Sequence, residues 1–144
     1  MNSSANRPLA KLLPPATLIA TAVFWVGGVT ETQATSEFNK AWKAHYLEDP
    51  VSDEFKKTAR KAGCYVCHVK GEKKKVRNEY GEAVHEFLDK EEYTKDYVKA
   101  NKEQATEEMI EGIKKAGEKS SLDGKTFEEK LAEGVLPATN AGLE

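Results

Sequence analysis

The chain has 144 residues, of which 22 are Lys or Arg and 24 are Asp or Glu, giving a formal net charge of −2 at pH 7. This balance excludes a generally basic nucleic-acid binder, so we expect no nucleic acid among its partners. Hydrophobic residues make up 39% of the chain, and an N-terminal run takes a good part of them. The rest has the length of one small domain with a thin apolar core.

Residues 1–34 have the pattern of a secretory signal peptide. Basic residues precede an uncharged, mostly apolar run from Ala16 to Val29, and a small-x-small cleavage site ends at Ala34. The run is shorter than the roughly 20 residues that a membrane-spanning helix needs, and an uncleaved membrane anchor is the alternative. Both interpretations predict export to the periplasm, with the domain either free there or anchored to the inner membrane.

Two amphipathic helices are predicted after this segment. The first starts near Ser36 and ends before the helix-breaking pair Asp49-Pro50. The second is capped by Ser52, and its apolar positions repeat at helical spacing. Gly63 follows and lets the chain turn out of the helix.

The motif Cys64-Tyr65-Val66-Cys67-His68 comes next, and it has the Cys-x-x-Cys-His spacing of c-type haem attachment. The two thiols can add to the two haem vinyl groups as thioethers, and His68 can bind the iron as the proximal axial ligand. The predicted cofactor is therefore one covalent haem c with its iron. The alternatives are a dithiol redox site, a zinc site and a Cys64–Cys67 disulfide. They are less well supported, because the chain shows no strand pattern or zinc spacing, and a disulfide leaves His68 unexplained.

The chain after the motif starts with a basic loop and continues as short helices. The loop contains Lys73–Lys75, which we expect to dock an acidic redox partner near the haem edge. Amphipathic helices are predicted around Val84, around Tyr97 and from about Thr106. Thr126 starts a capping box for a last helix. We therefore predict an all-α domain over residues 35–136 and a C-terminal tail over 137–144.

A helix before Cys-x-x-Cys-His and helices after it resemble the small class I cytochromes c. The resemblance covers the motif and the order of elements rather than a continuous stretch. A narrower likeness lies in residues 74–81, Thr126-Phe127 and 134–137, which resemble those of a group of short exported monohaem cytochromes. The resemblance implies a helical domain wrapped around one haem.

The distal iron ligand stays open at this stage. The resemblance implies a methionine well after the motif, and Met109 is the only one there, 41 residues after His68. Met109 sits in a helical pattern without the usual Pro- or Gly-rich loop, so it is also a candidate core residue. His85 is the alternative ligand, His45 is a weaker one, and a five-coordinate iron is the fourth possibility.

These features predict an exported monohaem c-type cytochrome that carries single electrons rather than an enzyme. The alternative is a five-coordinate haem protein that binds or reacts with CO, NO or peroxide, and peroxidase-like activity stays open with it. Membrane contact is expected only through an uncleaved signal anchor.

Overall fold

The computed structural model describes residues 32–48 and 51–143, with side chains from residue 36 onward. It contains six α-helices: α1 Thr32–Tyr46, α2 Asp53–Ala62, α3 Glu79–Phe87, α4 Lys95–Ala100, α5 Lys102–Gly117 and α6 Phe127–Ala132. A 3₁₀ turn, Gly63–Val66, follows α2, and these described residues form no β-strand, so the all-α prediction is confirmed. None of the helices in this part is both long enough and apolar enough to span a membrane. The predicted apolar run, Asp49-Pro50 and Glu144 lie outside the described residues.

The helix starts follow from side-chain caps. The Ser52 hydroxyl accepts a hydrogen bond from the Phe55 backbone N–H at 3.2 Å, as predicted for an N-cap. Thr126 and Glu129 form the predicted capping box, because each side chain accepts the other's backbone N–H. These caps fix α2 and α6 at the positions that the sequence indicates.

Two helices begin earlier than predicted. α1 starts at Thr32, so cleavage after Ala34 would remove its first three residues. α5 starts at Lys102, and Thr106 lies inside it, where its hydroxyl donates to the Lys102 carbonyl at 2.8 Å.

The core is built around α5, which contacts α1, α3, α4 and α6. Small residues let its neighbours approach closely. A Cβ at Gly112 would lie 2.5 Å from the Leu88 side chain, so the end of α3 packs directly on the α5 backbone. The buried face of α5 consists of Ala105, Met109, Gly112, Ile113, Ala116 and Gly117.

The predicted C-terminal tail returns to the loop after the motif. The Lys70 backbone N–H donates to the Ala141 carbonyl at 2.8 Å, and the Glu79 backbone N–H donates to the Asn140 side chain at 3.0 Å. Pro137 and Ala141 are buried. The segment therefore packs against the start of α3, directly beside the motif.

Glu79 ties three parts of the chain together. Its carboxylate accepts from the Thr139 backbone N–H and hydroxyl at 2.6 and 2.7 Å. It also accepts from the Ser121 hydroxyl at 3.0 Å and the Leu122 backbone N–H at 2.6 Å. Burial alone would raise the pKa of Glu79, but these hydrogen bonds lower it below its ordinary value. The carboxylate is therefore a hydrogen-bonded junction that needs its negative charge.

Candidate functional site

The motif lies in the 3₁₀ turn that ends α2. One face of α2 buries Phe55, Ala59 and Ala62 against the core, which fixes the direction of the helix. Gly63 leaves the helix with a φ of +56°, a conformation that costs glycine little. Its carbonyl accepts a hydrogen bond from the Asn39 side chain of α1 at 3.2 Å. The motif thus starts from a fixed point on two helices.

The turn brings the two cysteines to neighbouring positions. The Cys64 carbonyl accepts from the backbone N–H groups of both Cys67 and His68 at 3.2 Å. Both cysteines are free thiols; Cys64 is exposed and Cys67 is partly buried. Burial, with a smaller contribution from Cys64, raises the pKa of the Cys67 thiol to about 12. Val66 is 2% exposed and anchors the turn in the core.

His68 is half-buried and has a backbone partner on one ring nitrogen. Its Nδ1 lies 3.4 Å from the Val76 carbonyl oxygen, an acceptor that favours the tautomer with the proton on Nδ1. Burial lowers the pKa of His68, and Arg77 and Lys74 lower it further, against the opposing effect of the Val76 hydrogen bond. The neutral ring then has its lone pair on Nε2, and a carbonyl on the far nitrogen is the usual partner of a metal-binding histidine.

The Asn78 side chain contacts the backbone of the motif. Its side-chain NH₂ faces the carbonyls of Tyr65, Val66 and His68 at 3.1, 3.0 and 3.4 Å, so two donor hydrogens serve three acceptors. Its Oδ1 accepts from the Gly81 backbone N–H at 2.8 Å and caps α3. Asn78 is 0% exposed. One side chain therefore joins the motif backbone to the first turn of α3.

Helix α3 touches the motif directly. A Cβ at Gly81 would overlap the Cys67 carbonyl oxygen, so only glycine allows this approach. Tyr80, the preceding residue, is also 0% exposed. Its hydroxyl accepts from the Trp42 indole N–H at 3.0 Å, and its ring packs against Phe127 with centroids 5.1 Å apart. The motif consequently rests on a rigid base drawn from α1, α3 and α6.

The three candidates for the distal ligand have different surroundings. Met109 is 2% exposed and lies on α5 within the helical core. His85 is exposed on α3. His45 is half-buried on α1, with its ring centroid 4.5 Å from that of Tyr46. No hydrogen bond or ion pair joins any of the three to His68 in the described part of the chain.

The predicted basic loop lies beside the motif. Lys73–Lys75 are exposed, and the Lys74 ammonium lies 3.8 Å from the Cys64 sulfur. Arg77 forms a long ion pair with Glu82 at 3.7 Å. Because both partners are solvent-accessible, this pair contributes little to stability. The loop therefore places positive charge around the exposed thiol.

The donor set fits a c-type haem in its chemistry. Two free thiols follow one another at the attachment spacing, and the imidazole keeps Nε2 for a metal. Among residues 36–48 and 51–143, no group of three or more His, Cys, Asp or Glu side chains could hold a metal ion. A structural zinc site would need four such ligands. A c-type haem needs two thiols for its thioether bonds and one imidazole nitrogen for its iron. Cys64, Cys67 and His68 have these groups.

Comparison with protein families, curated proteins and solved structures found no match for this chain.

The sequence identified the motif and the basic loop. It did not reveal the junction at Glu79, the Trp42–Tyr80 hydrogen bond or the close contact at Gly81. The one local signal was the order Asn78-Glu79, a cap residue followed by an acid at the start of an amphipathic helix.

Proposed function

We propose that this chain is an exported monohaem c-type cytochrome that transfers single electrons between redox partners. The observation that carries the proposal is the combination of two free thiols in Cys-x-x-Cys-His with a Val76 carbonyl facing Nδ1 of His68. When bound, the haem supplies an iron that cycles between its ferrous and ferric forms.

Each residue of the motif has a separate task in this proposal. Cys64 and Cys67 hold the haem covalently through thioethers. His68 offers Nε2 to the iron, and the Val76 carbonyl keeps the ring in the matching tautomer and orientation. Asn78 fixes the backbone of the turn through its bonds to the motif carbonyls. A site held by such backbone contacts changes shape little, which suits electron transfer.

The sixth ligand sets the behaviour of such a site. Met109 is the first candidate, because His/Met ligation raises the reduction potential and favours an electron carrier. Met109 is buried, so its side chain can contact an apolar haem face rather than solvent. His85 is the second candidate, and it would have to turn inward from an exposed position.

The basic loop that contains Lys73–Lys75 supports an acidic redox protein as the partner. The exposed Lys73–Lys75 segment lies beside Cys64, and attraction to an acidic redox protein would raise the rate of association at this edge. Export fits the chemistry, since the N-terminal pattern directs the chain to the periplasm.

The second candidate function is a five-coordinate haem protein that binds or reacts with CO, NO or peroxide. One observation favours it: Met109 lies in the middle of α5, whose packing it shares with Ile113 and Ala116, rather than on a loop. If Met109 is only a core residue, the distal side stays open to small ligands.

Visible spectra of the purified holoprotein, oxidised and reduced, with and without CO, separate the two functions. A reduced low-spin spectrum that CO leaves unchanged supports the electron carrier. A high-spin spectrum that shifts with CO supports the ligand-binding alternative. A protein without any haem absorbance after expression with a c-type maturation system contradicts both.

A matched substitution then identifies the ligand. Met109→Leu keeps the apolar volume and should cost less than about 1.5 kcal/mol of stability as a core change. If Met109 is the ligand, this variant becomes sensitive to CO, whereas His85→Ala keeps the wild-type spectrum. If instead His85→Ala becomes sensitive to CO and Met109→Leu keeps the wild-type spectrum, His85 is the sixth iron ligand.

A further inference from the structure

Positive charge is concentrated on one part of the molecule. Residues 53–77 contain nine Lys or Arg against three Asp or Glu, a net charge of +6. Arg60 and Lys61 at the end of α2 lead directly into the motif, and Lys74 reaches the Cys64 sulfur from the other side. Most of these cations are exposed. We call this set of residues, 53–77, the basic surface.

Negative charge is concentrated on another part. Residues 79–111 contain eleven Asp or Glu against four Lys, a net charge of −7. Helix α5 packs against both α3 and α4. Glu92 and Glu108 both raise the pKa of Tyr97, with the hydrogen bond from Tyr97 to Glu108 as the largest cause. We call this set of residues, 79–111, the acidic surface.

The two surfaces meet where the motif loop leads into α3. There Arg77 and Glu82 form a long ion pair at 3.7 Å. Several acids are instead paired within α5 or with its C-terminal side, as in Lys115–Glu111 and Lys119–Glu86. Lys73–Lys75 on the basic surface and Glu91, Glu103 and Glu107 on the acidic surface are exposed, and these are the charges that another molecule can meet.

We propose that the basic surface of one copy docks on the acidic surface of a second copy, giving head-to-tail self-association. The opposing net charges, +6 and −7, are nearly equal in size, and every copy carries both. Because two different surfaces meet, the contact does not close on itself in a pair, and further copies add at the open ends. This inference concerns the exposed charges alone and does not depend on whether haem is bound.

Such a contact must weaken with salt. The Debye length is about 30 Å at 0.01 M ionic strength and about 3 Å at 1 M. Sedimentation velocity of the purified full chain, from about 1 µM to about 1 mM, tests this. The sedimentation coefficient should rise with protein concentration at the low ionic strength and stay constant at the high one. A monomer at every concentration in low salt overturns the proposal, and so does an association that persists at high salt.

Charge-reversal variants test which surfaces meet. The basic-surface variant combines Lys73→Glu, Lys74→Glu and Lys75→Glu, and the acidic-surface variant combines Glu91→Lys, Glu103→Lys and Glu107→Lys. Each should raise the Kd of self-association more than about tenfold, because the three reversals remove nearly all the net charge of one surface, +6 becoming 0 or −7 becoming −1. Circular dichroism shows that each variant is folded before it is compared.

Mixing the two variants gives the decisive result. The basic-surface variant keeps an intact acidic surface and the acidic-surface variant keeps an intact basic surface. An equimolar mixture should therefore form pairs although neither variant associates alone. A matched control with Lys40→Glu, Lys43→Glu and Lys114→Glu makes the same change in net charge as the basic-surface variant, outside both surfaces, and should still associate. A mixture that stays monomeric, or a control that loses association equally, overturns the proposal. The haem spectrum is recorded separately, so failure here is distinct from failure of the cytochrome assignment.

Discussion

Asn78→Ala tests whether one buried amide holds the Cys64–His68 motif in place. The substitution removes the cap on the Gly81 N–H at 2.8 Å and the donors that face the Tyr65, Val66 and His68 carbonyls. Loss of a cap costs about 1 kcal/mol. The Val66 hydrogen bond is buried, and a buried carbonyl without a donor costs about 1–3 kcal/mol. Water can reach the other two, so the total expected loss is about 2–4 kcal/mol.

The assay is urea unfolding followed by circular dichroism, and the chain offers a matched control. Thr94 caps α4 by accepting from the Tyr97 N–H at 3.3 Å, and it is exposed. Thr94→Ala therefore loses only a cap and should cost about 1 kcal/mol. Asn78→Asp keeps the acceptor for α3 but replaces the donors with a negative charge, so it should be at least as harmful as Asn78→Ala. If Asn78→Ala costs no more than Thr94→Ala, the reasoning about the motif carbonyls is refuted.

Three further outcomes follow from the base of the site. Gly81→Ala should destabilise the chain by several times the cost of an ordinary surface substitution, because the new methyl overlaps the Cys67 carbonyl, and unchanged urea unfolding would contradict this. Tyr80→Phe leaves the buried Trp42 N–H without its acceptor and should cost about 1–3 kcal/mol in the same assay; a neutral result would mean that another acceptor replaces the hydroxyl. Glu79 has a pKa lowered by folding, so its contribution to stability is present above the unfolded value of about 4.3 and is lost as the pH falls through the lower folded value. Glu79→Gln should therefore be less stable than wild type at pH 7, and the difference should shrink as the pH falls below the unfolded value of about 4.3; a constant difference would contradict the charge-based account.

Local features of the fold were predictable from the sequence. The apolar spacing on α2 and α5 indicated helices, and Ser52 and Thr126 identified two N-termini, because caps depend on residues only three positions away. The start of α5 was not predictable in the same way. Thr106 has the chemistry of a cap but bonds backward to the Lys102 carbonyl, a choice that tertiary packing decides.

The candidate site also has a part that the local sequence predicts and a part that it does not. Cys-x-x-Cys-His is a contiguous motif, so its chemistry can be read locally. Glu79 accepts a hydrogen bond from the Thr139 backbone N–H and donates one from its own backbone N–H to the Asn140 side chain. These bonds join residues about 60 positions apart, and no periodicity in the chain indicates such a contact. The distal ligand is a problem of the same kind. The separation between Met109 and His68 along the chain does not say which face of α5 is turned towards the Cys64–His68 motif.

Covalent attachment of haem at Cys64 and Cys67 is the central claim, and the mass of the denatured protein tests it most directly. The chain is expressed with a c-type maturation system, purified, denatured in acid and measured by mass spectrometry. The account predicts that the chain keeps the mass of one haem after denaturation, and that replacing both cysteines with serine abolishes it. A wild-type chain at its bare polypeptide mass, with any haem released by acid, would contradict the account.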